Sequence, residues 1–262
     1  MRILLCPPDY FDIDYEINAW MQTSNKVDHT AALRQWNDLR SLYESLGWDV
    51  EVLPAEKGWP DLVFTANAGL VIDNRVLLAR FKYPERQGET PINEAWFTKH
   101  NFQDITVPER DFEGEGDALV WNNYIFAGSG FRSDEASHPE IAEFFPDYHV
   151  ITMKMIRDDF YHIDTCLSIL SEDTVAFLPS AFDQESGDKL REIVPNVIEC
   201  DETSAKAFGL NLMSDGTDVV LAHNAYSFHK QLQDAGFSIH PTPITEFLKS
   251  GGGVKCLSLV LR

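Results

Sequence analysis

Ala118-Leu119-Val120-Trp121-Asn122-Asn123-Tyr124-Ile125-Phe126-Ala127 is two apolar tetrapeptides joined by two asparagines, and its recurrence along the chain decides the fold. Asparagine tolerates the backbone of a tight hairpin turn, and the flanking residues suit buried strands. The same shape occurs at Gly69-Leu70-Val71-Ile72, which turns at Asp73-Asn74 into Val76-Leu77-Leu78-Ala79. Leu167-Ser168-Ile169-Leu170 turns at Glu172-Asp173 into Val175-Ala176-Phe177-Leu178, and Leu210-Asn211-Leu212-Met213 turns near Asp215-Gly216 into Val219-Val220-Leu221-Ala222.

The turns fall at 73, 122, 172 and 215, separated by 49, 50 and 43 residues. Helix-like stretches lie between them. Residues 30–46 carry Leu33, Trp36, Leu39, Tyr43 and Leu46 at helical spacing and stop at Gly47. Shorter ones are expected at 140–145, 188–193, 227–235 and 244–249. A period of this length signals a radial or stacked repeat. The expected unit is two strands, a helix and a third strand (ββαβ), repeated about five times. The first and last strands would close the ring as one composite unit. No Pro/Ser/Gly-rich linker interrupts the pattern, so residues 1–262 are expected to form one α/β domain. An ordinary α+β sandwich with coincidentally regular turns is the competing reading.

Composition narrows the function. The chain has 44% hydrophobic and 12% aromatic residues, enough for a substantial core. No run of 18 apolar residues suggests a membrane span, and the opening residues turn polar too quickly for a signal peptide. Four widely spaced cysteines fit neither a disulfide framework nor a metal site, so a reduced, cytoplasmic location is expected. A net charge of −21 argues against nucleic acid as a partner and would attract a small cation. A homo-oligomer is compatible with this composition.

Polar residues open each unit at the same phase. Asn67, Glu113, His162, Asn211 and Cys256 are separated by 46, 49, 49 and 45 residues, with Asp117 and Asp164 close to the second and third. In a pseudo-symmetric ring, equivalent positions surround the axis. An amide, a carboxylate, an imidazole and a thiol would therefore meet at one end of a central channel, the set that thiol catalysis needs. Gly251-Gly252-Gly253-Val254-Lys255-Cys256-Leu257 supports this, because a glycine run lets the backbone approach another surface closely and presents a thiol at the start of the last strand. Free cysteines are more often simply buried, and a histidine on a strand is more often a satisfied core residue.

The chain resembles the guanidino-group-modifying enzymes of the pentein fold, a five-bladed α/β propeller that includes amidinotransferases, arginine deiminases, dimethylarginine dimethylaminohydrolases and arginine dihydrolases. The resemblance covers essentially the whole chain. It rests on Pro7-Pro8-Asp9-Tyr10-Phe11, Tyr15-Glu16-Ile17-Asn18-Ala19-Trp20-Met21, Asp61-Leu62-Val63-Phe64-Thr65-Ala66-Asn67-Ala68-Gly69, Phe112-Glu113-Gly114-Glu115-Gly116-Asp117-Ala118-Leu119, His162-Ile163-Asp164-Thr165 and the glycine-rich lead into Cys256. It implies that Cys256 is the nucleophile and His162 the general acid and base. Glu113 would orient His162, with Glu115 as the alternative, since the segment is one residue out of step with the family's Glu-x-Gly-Asp pattern. Asp164 would receive guanidinium N–H groups from its position on the same strand face as His162. Arg86 and Arg132 would bind the substrate carboxylate, and Asp61 would shape the pocket. No metal and no cofactor is implied; the partner is a small guanidino substrate.

Asn67 departs from deiminase-like and dimethylarginine-hydrolysing relatives, which carry a carboxylate there. An amide both accepts and donates. Asn67, with a second amide from Asn18, could hold a guanidinium and then a neutral ureido intermediate for a second attack. Relatives with this asparagine resemble dihydrolases that yield ornithine, two ammonia and carbon dioxide. The expectation is an arginine dihydrolase. The alternatives are an amidinotransferase, a deiminase or dimethylarginine hydrolase stopping after one step, and a non-catalytic binding module of the same fold.

Overall fold

The computed structural model describes residues 1–262. After strand β1 (Arg2–Leu5) the chain reaches helix His29–Ser45 and then β2 (Asp49–Val52). Asp28 caps that helix by accepting from the Ala31 N–H, and Gly47, at φ +77°, ends it. The helix buries Ala32, Gln35, Trp36, Leu39 and Tyr43, most of the apolar stripe visible in the sequence; Leu33 faces outward instead.

Each following unit repeats one plan. Hairpin β3 (Gly69–Ile72) and β4 (Arg75–Leu78) turns through Asp73 and Asn74 at φ +51° and +63°. Helix Glu89–Lys99 then returns the chain to β5 (Gln103–Thr106), parallel to β4. The next units are β6 (Ala118–Trp121), β7 (Tyr124–Ser129) and β8 (His149–Lys154), then β9 (Leu167–Ile169), β10 (Thr174–Phe177) and β11 (Asn196–Glu199). The fourth is β12 (Met213–Ser214), β13 (Asp218–Ala222) and β14 (Ser238–Thr242). In every case the first pair is antiparallel and the second parallel.

Finally β15 (Leu259–Val260) pairs antiparallel with β1, Ile3 opposite Val260, while β1 runs parallel to β2. Chain ends therefore share the fifth sheet. Five three-stranded sheets of the expected ββαβ plan make the pseudo-symmetric α/β propeller.

Three local expectations need correction. Leu210, Asn211 and Leu212 are not strand, because the Asn211 and Leu212 N–H groups turn back to Phe208 and Leu210 carbonyls. Cys256 does not begin the last strand; it lies in a turn closed by Leu257 N–H to Gly253 O, ahead of β15. His162 and Asp164 do not share a strand face, since Ile163–Thr165 is a single 3-10 turn. Helix Glu89–Lys99 escaped the sequence reading because its apolar residues make almost no one-sided stripe.

Candidate active site

The polar residues that open the units are buried and hydrogen-bonded to one another around the axis. Asn67 Nδ2 donates to the Glu113 carbonyl at 3.1 Å, and Glu113 Oε2 lies 2.8 Å from His162 Nε2. Asn211 Nδ2 donates to the Asp164 carbonyl at 2.9 Å and to Cys256 Sγ at 3.1 Å. The Ala66 N–H donates to the Cys256 carbonyl at 3.1 Å and closes the ring beside Asn67. Buried polar groups of this kind are held only when they are paired, and here each unit pairs with the next. Short 3-10 turns, Thr65–Ala68, Gly114–Gly116 and Ile163–Thr165, deliver these side chains just before the inner strands. Gly116 is required where it stands, because a Cβ there would lie 2.3 Å from Asn67 Nδ2 and 3.1 Å from His162 Nδ1.

Cys256 Sγ also donates to Asp164 Oδ2 at 3.3 Å. Burial, reinforced by the Asp164 charge, pushes this thiol well above the ordinary cysteine range. Burial likewise pushes Asp164 up to about 6, against the pull of His162 and Lys255. Its other oxygen, Oδ1, is buried without a hydrogen-bond partner. Glu113 is pushed the opposite way: burial would raise it, but Arg132 and His162 overcome burial and hold it far below the usual carboxylate range. Arg132 Nη1 donates to Glu113 Oε2 at 2.9 Å, and its guanidinium carbon lies 4.8 Å from the ring centres of both Tyr83 and Tyr161. A permanent carboxylate beside His162 fixes the orientation of the ring.

The choice between the two glutamates follows from geometry. Glu113 faces His162, whereas Glu115 pairs with Lys255 Nζ at 2.6 Å and with Arg262, and accepts from the Val260 N–H. Glu115 thus ties the glycine-rich segment to the closing strand. A separate cavity of about 300 Å³ lies at the hairpin-turn end of the sheets, lined by Trp121, Leu170, Met213, Lys255 and Arg262.

The sequence of the eukaryotic N,N dimethylarginine dimethylhydrolase family matches residues 7–261. The chain belongs to this family. It is 40% identical over 99% of its length to the bifunctional arginine dihydrolase/ornithine cyclodeaminase ArgZ of Synechocystis sp., of which it spans only 37%. It is 37% identical over 98% of its length to the N(G),N(G)-dimethylarginine dimethylaminohydrolase of Mycobacterium tuberculosis, covering 85% of that protein. Its fold superposes with a TM-score of 0.94 on the N-terminal domain of a cysteine-to-serine mutant of ArgZ, an arginine dihydrolase from cyanobacteria, bound to substrate. There the identity is 38%, covering 99% of this chain and 97% of that domain.

Within this member of the family the two arginines differ. Arg86 commits four of its five N–H groups to protein acceptors: a bidentate pair with Glu89 at 2.8 and 2.7 Å, Asn67 Oδ1 at 2.9 Å and the Asp61 carbonyl at 3.1 Å. Its main contact in the site is therefore Asn67. Arg132 donates only to Glu113 and to the Ile17 carbonyl at 3.1 Å, so three N–H groups remain. Asp61 accepts from the Tyr15 hydroxyl at 2.9 Å while Oδ1 has no partner, and burial raises its carboxyl.

Asn18 is elsewhere. Its oxygen accepts from the Trp20 and Met21 N–H groups and its nitrogen donates to Ser250 O, so it fastens its loop to the glycine-rich segment. No hydrogen bond joins it directly to Asn67. Glu89, Tyr83 and Tyr161 were not picked out from sequence. Tyr161 precedes His162 directly, but nothing in the spacing marked the other two.

Proposed function

We propose that this chain hydrolyses the guanidino group of arginine through a covalent adduct on Cys256 and continues to ornithine, two ammonia and carbon dioxide. The observation that carries this reading is the buried Asp164 carboxylate. It holds Cys256 with one oxygen and has the other unpartnered, a short distance along the ring from the Glu113–His162 pair. A guanidinium placed there gives Asp164 a cation to pair with. Its positive charge also lowers the thiol pKa that burial has raised.

The thiolate then attacks the guanidino carbon, forming a C–S bond. Protonated His162 gives its proton to a terminal nitrogen, and the C–N bond breaks to release the first ammonia. Neutral His162 takes a proton from water, whose oxygen attacks the amidino carbon. Breaking C–S yields the ureido compound and regenerates the sulfur. A second attack expels the second ammonia, a second water releases the carbamate, and carbon dioxide is lost. In sum, arginine and two waters become ornithine, two ammonia and carbon dioxide.

Glu113 keeps His162 oriented and stabilises its imidazolium. Arg132, with its remaining N–H groups, receives the substrate carboxylate. Arg86 orients Asn67, whose neutral amide suits a neutral ureido group better than a second carboxylate would. The single domain spanning 1–262 and a cytoplasmic location belong to the same reading.

The similarity to the mycobacterial dimethylaminohydrolase favours a second reading, one hydrolysis of a methylated arginine. Incubation with arginine and with dimethylarginine separates the two. Two ammonia per ornithine supports the dihydrolase. Citrulline with one equivalent of ammonia or dimethylamine supports the single step. Guanidino transfer to an added amine overturns both.

A further inference from the structure

We infer that Asn211 is a catalytic residue whose side-chain amide holds Cys256 in place and stabilises its thiolate; this rests on the reading of Cys256 as the nucleophile. Asn211 is completely buried, 45 residues before the thiol. Its Oδ1 accepts the Cys256 backbone N–H at 3.0 Å, and its Nδ2 donates to Cys256 Sγ at 3.1 Å and to the Asp164 carbonyl at 2.9 Å. One amide thus grips both the backbone and the sulfur of the nucleophile while touching the residue that faces the guanidinium.

The orientation of this amide is fixed by its partners. A carbonyl can only accept and a backbone N–H can only donate, so exchanging Oδ1 and Nδ2 would break both contacts. The approach depends on Gly253, because a Cβ there would lie 2.5 Å from Asn211 Oδ1. The glycine run before Cys256 therefore has a local purpose beyond flexibility.

The groups facing the sulfur are Asp164, Tyr161, Asn211 and the Gly253 backbone, while His162 and Lys255 act electrostatically on Asp164. When the thiol ionises it loses its own hydrogen bond to Asp164 and faces a carboxylate at the same distance. Asn211 Nδ2 is the side-chain donor that stays, joined by the Gly253 N–H. A donor to the anion favours the charged form.

The test is the pH profile of iodoacetamide labelling at Cys256, with Cys256→Ser subtracting the background. Asn211→Asp keeps shape but replaces the donor by an acceptor. Its labelling midpoint should rise by about one pH unit, making labelling roughly tenfold slower below the midpoint. Gly253→Ala, which displaces the same amide from the other side, should shift the midpoint in the same direction even if Asn211→Asp does not fold. In whichever variant folds, kcat should fall further than KM rises. A midpoint unchanged in a folded variant, with only a lower melting temperature, overturns the assignment. Because labelling does not depend on arginine turnover, it is separate from the parent reading, which fails instead if Cys256→Ser keeps its activity.

Discussion

Asp164→Asn should make the protein more stable at neutral pH while abolishing turnover, because the native fold carries an ionised carboxylate under strain. An aspartate in the unfolded chain gives up its proton near 3.8, whereas buried Asp164 keeps it to about 6. Between those values the folded state binds the extra proton, so stability falls as pH rises through the window and stays reduced above it. The difference of about two pH units corresponds to about 3 kcal/mol. Asparagine has nearly the same shape, leaves the backbone carbonyl that accepts from Asn211 untouched, and can donate to Cys256 Sγ from the position of Oδ2.

Urea unfolding of wild type and variant at pH 4 and pH 7.5 measures the effect. The variant should gain about 2–3 kcal/mol at pH 7.5, which is roughly 5–10 °C in melting temperature for a chain of this size, and close to nothing at pH 4. Ammonia release from arginine should fall by orders of magnitude, and arginine should no longer raise the melting temperature. A variant no more stable than wild type at pH 7.5 would refute the reasoning, since the Asp164 charge would then be compensated in the native fold.

Cys256→Ser should fold normally and lose roughly a thousandfold or more in turnover, because serine forms no comparable anion; steady-state kinetics with circular dichroism checks both. Arg132→Lys keeps a cation beside Glu113 but loses the planar fork. KM for arginine should rise about tenfold while agmatine, which lacks the carboxylate, stays an equally poor substrate of both proteins. In Asn67→Asp an acceptor oxygen faces the Glu113 carbonyl where Nδ2 now donates at 3.1 Å. A buried unpaired acceptor costs about 1–3 kcal/mol, so product should shift from ornithine toward citrulline by roughly ten- to a hundredfold, read by chromatography.

Much of the architecture was legible because hairpin turns are local events. Asp73, Asn74 and Asn122 occupy left-handed backbone, which their residue types announce. The regular spacing then placed Asn67, Glu113, His162, Asn211 and Cys256 in equivalent positions without any knowledge of the strands' exact limits. Strand assignment was less secure around 210–212 and at Cys256, where apolar residues enter tight turns instead of extending. Composition reports burial there, but backbone direction is set by hydrogen bonds to Phe208 and Gly253.

The electrostatics of the site was not legible, for a physical reason. A thiol's proton affinity depends on burial and on neighbours brought in by other blades, here Asp164 and Asn211, 92 and 45 residues away. The same holds for the arginines. In the sequence Arg86 and Arg132 look alike, yet one commits four of its five N–H groups to Glu89, Asn67 and Asp61 while the other keeps three to offer. Glu89 decides this, because its two oxygens take two Arg86 donors at a buried position. Arg86 is thereby turned from a free clamp into the support for Asn67, the residue on which the proposed second hydrolysis depends. Relatives could therefore differ in the number of hydrolytic steps through Glu89 or Arg86 without any change in the thiol, the imidazole or the carboxylates around them.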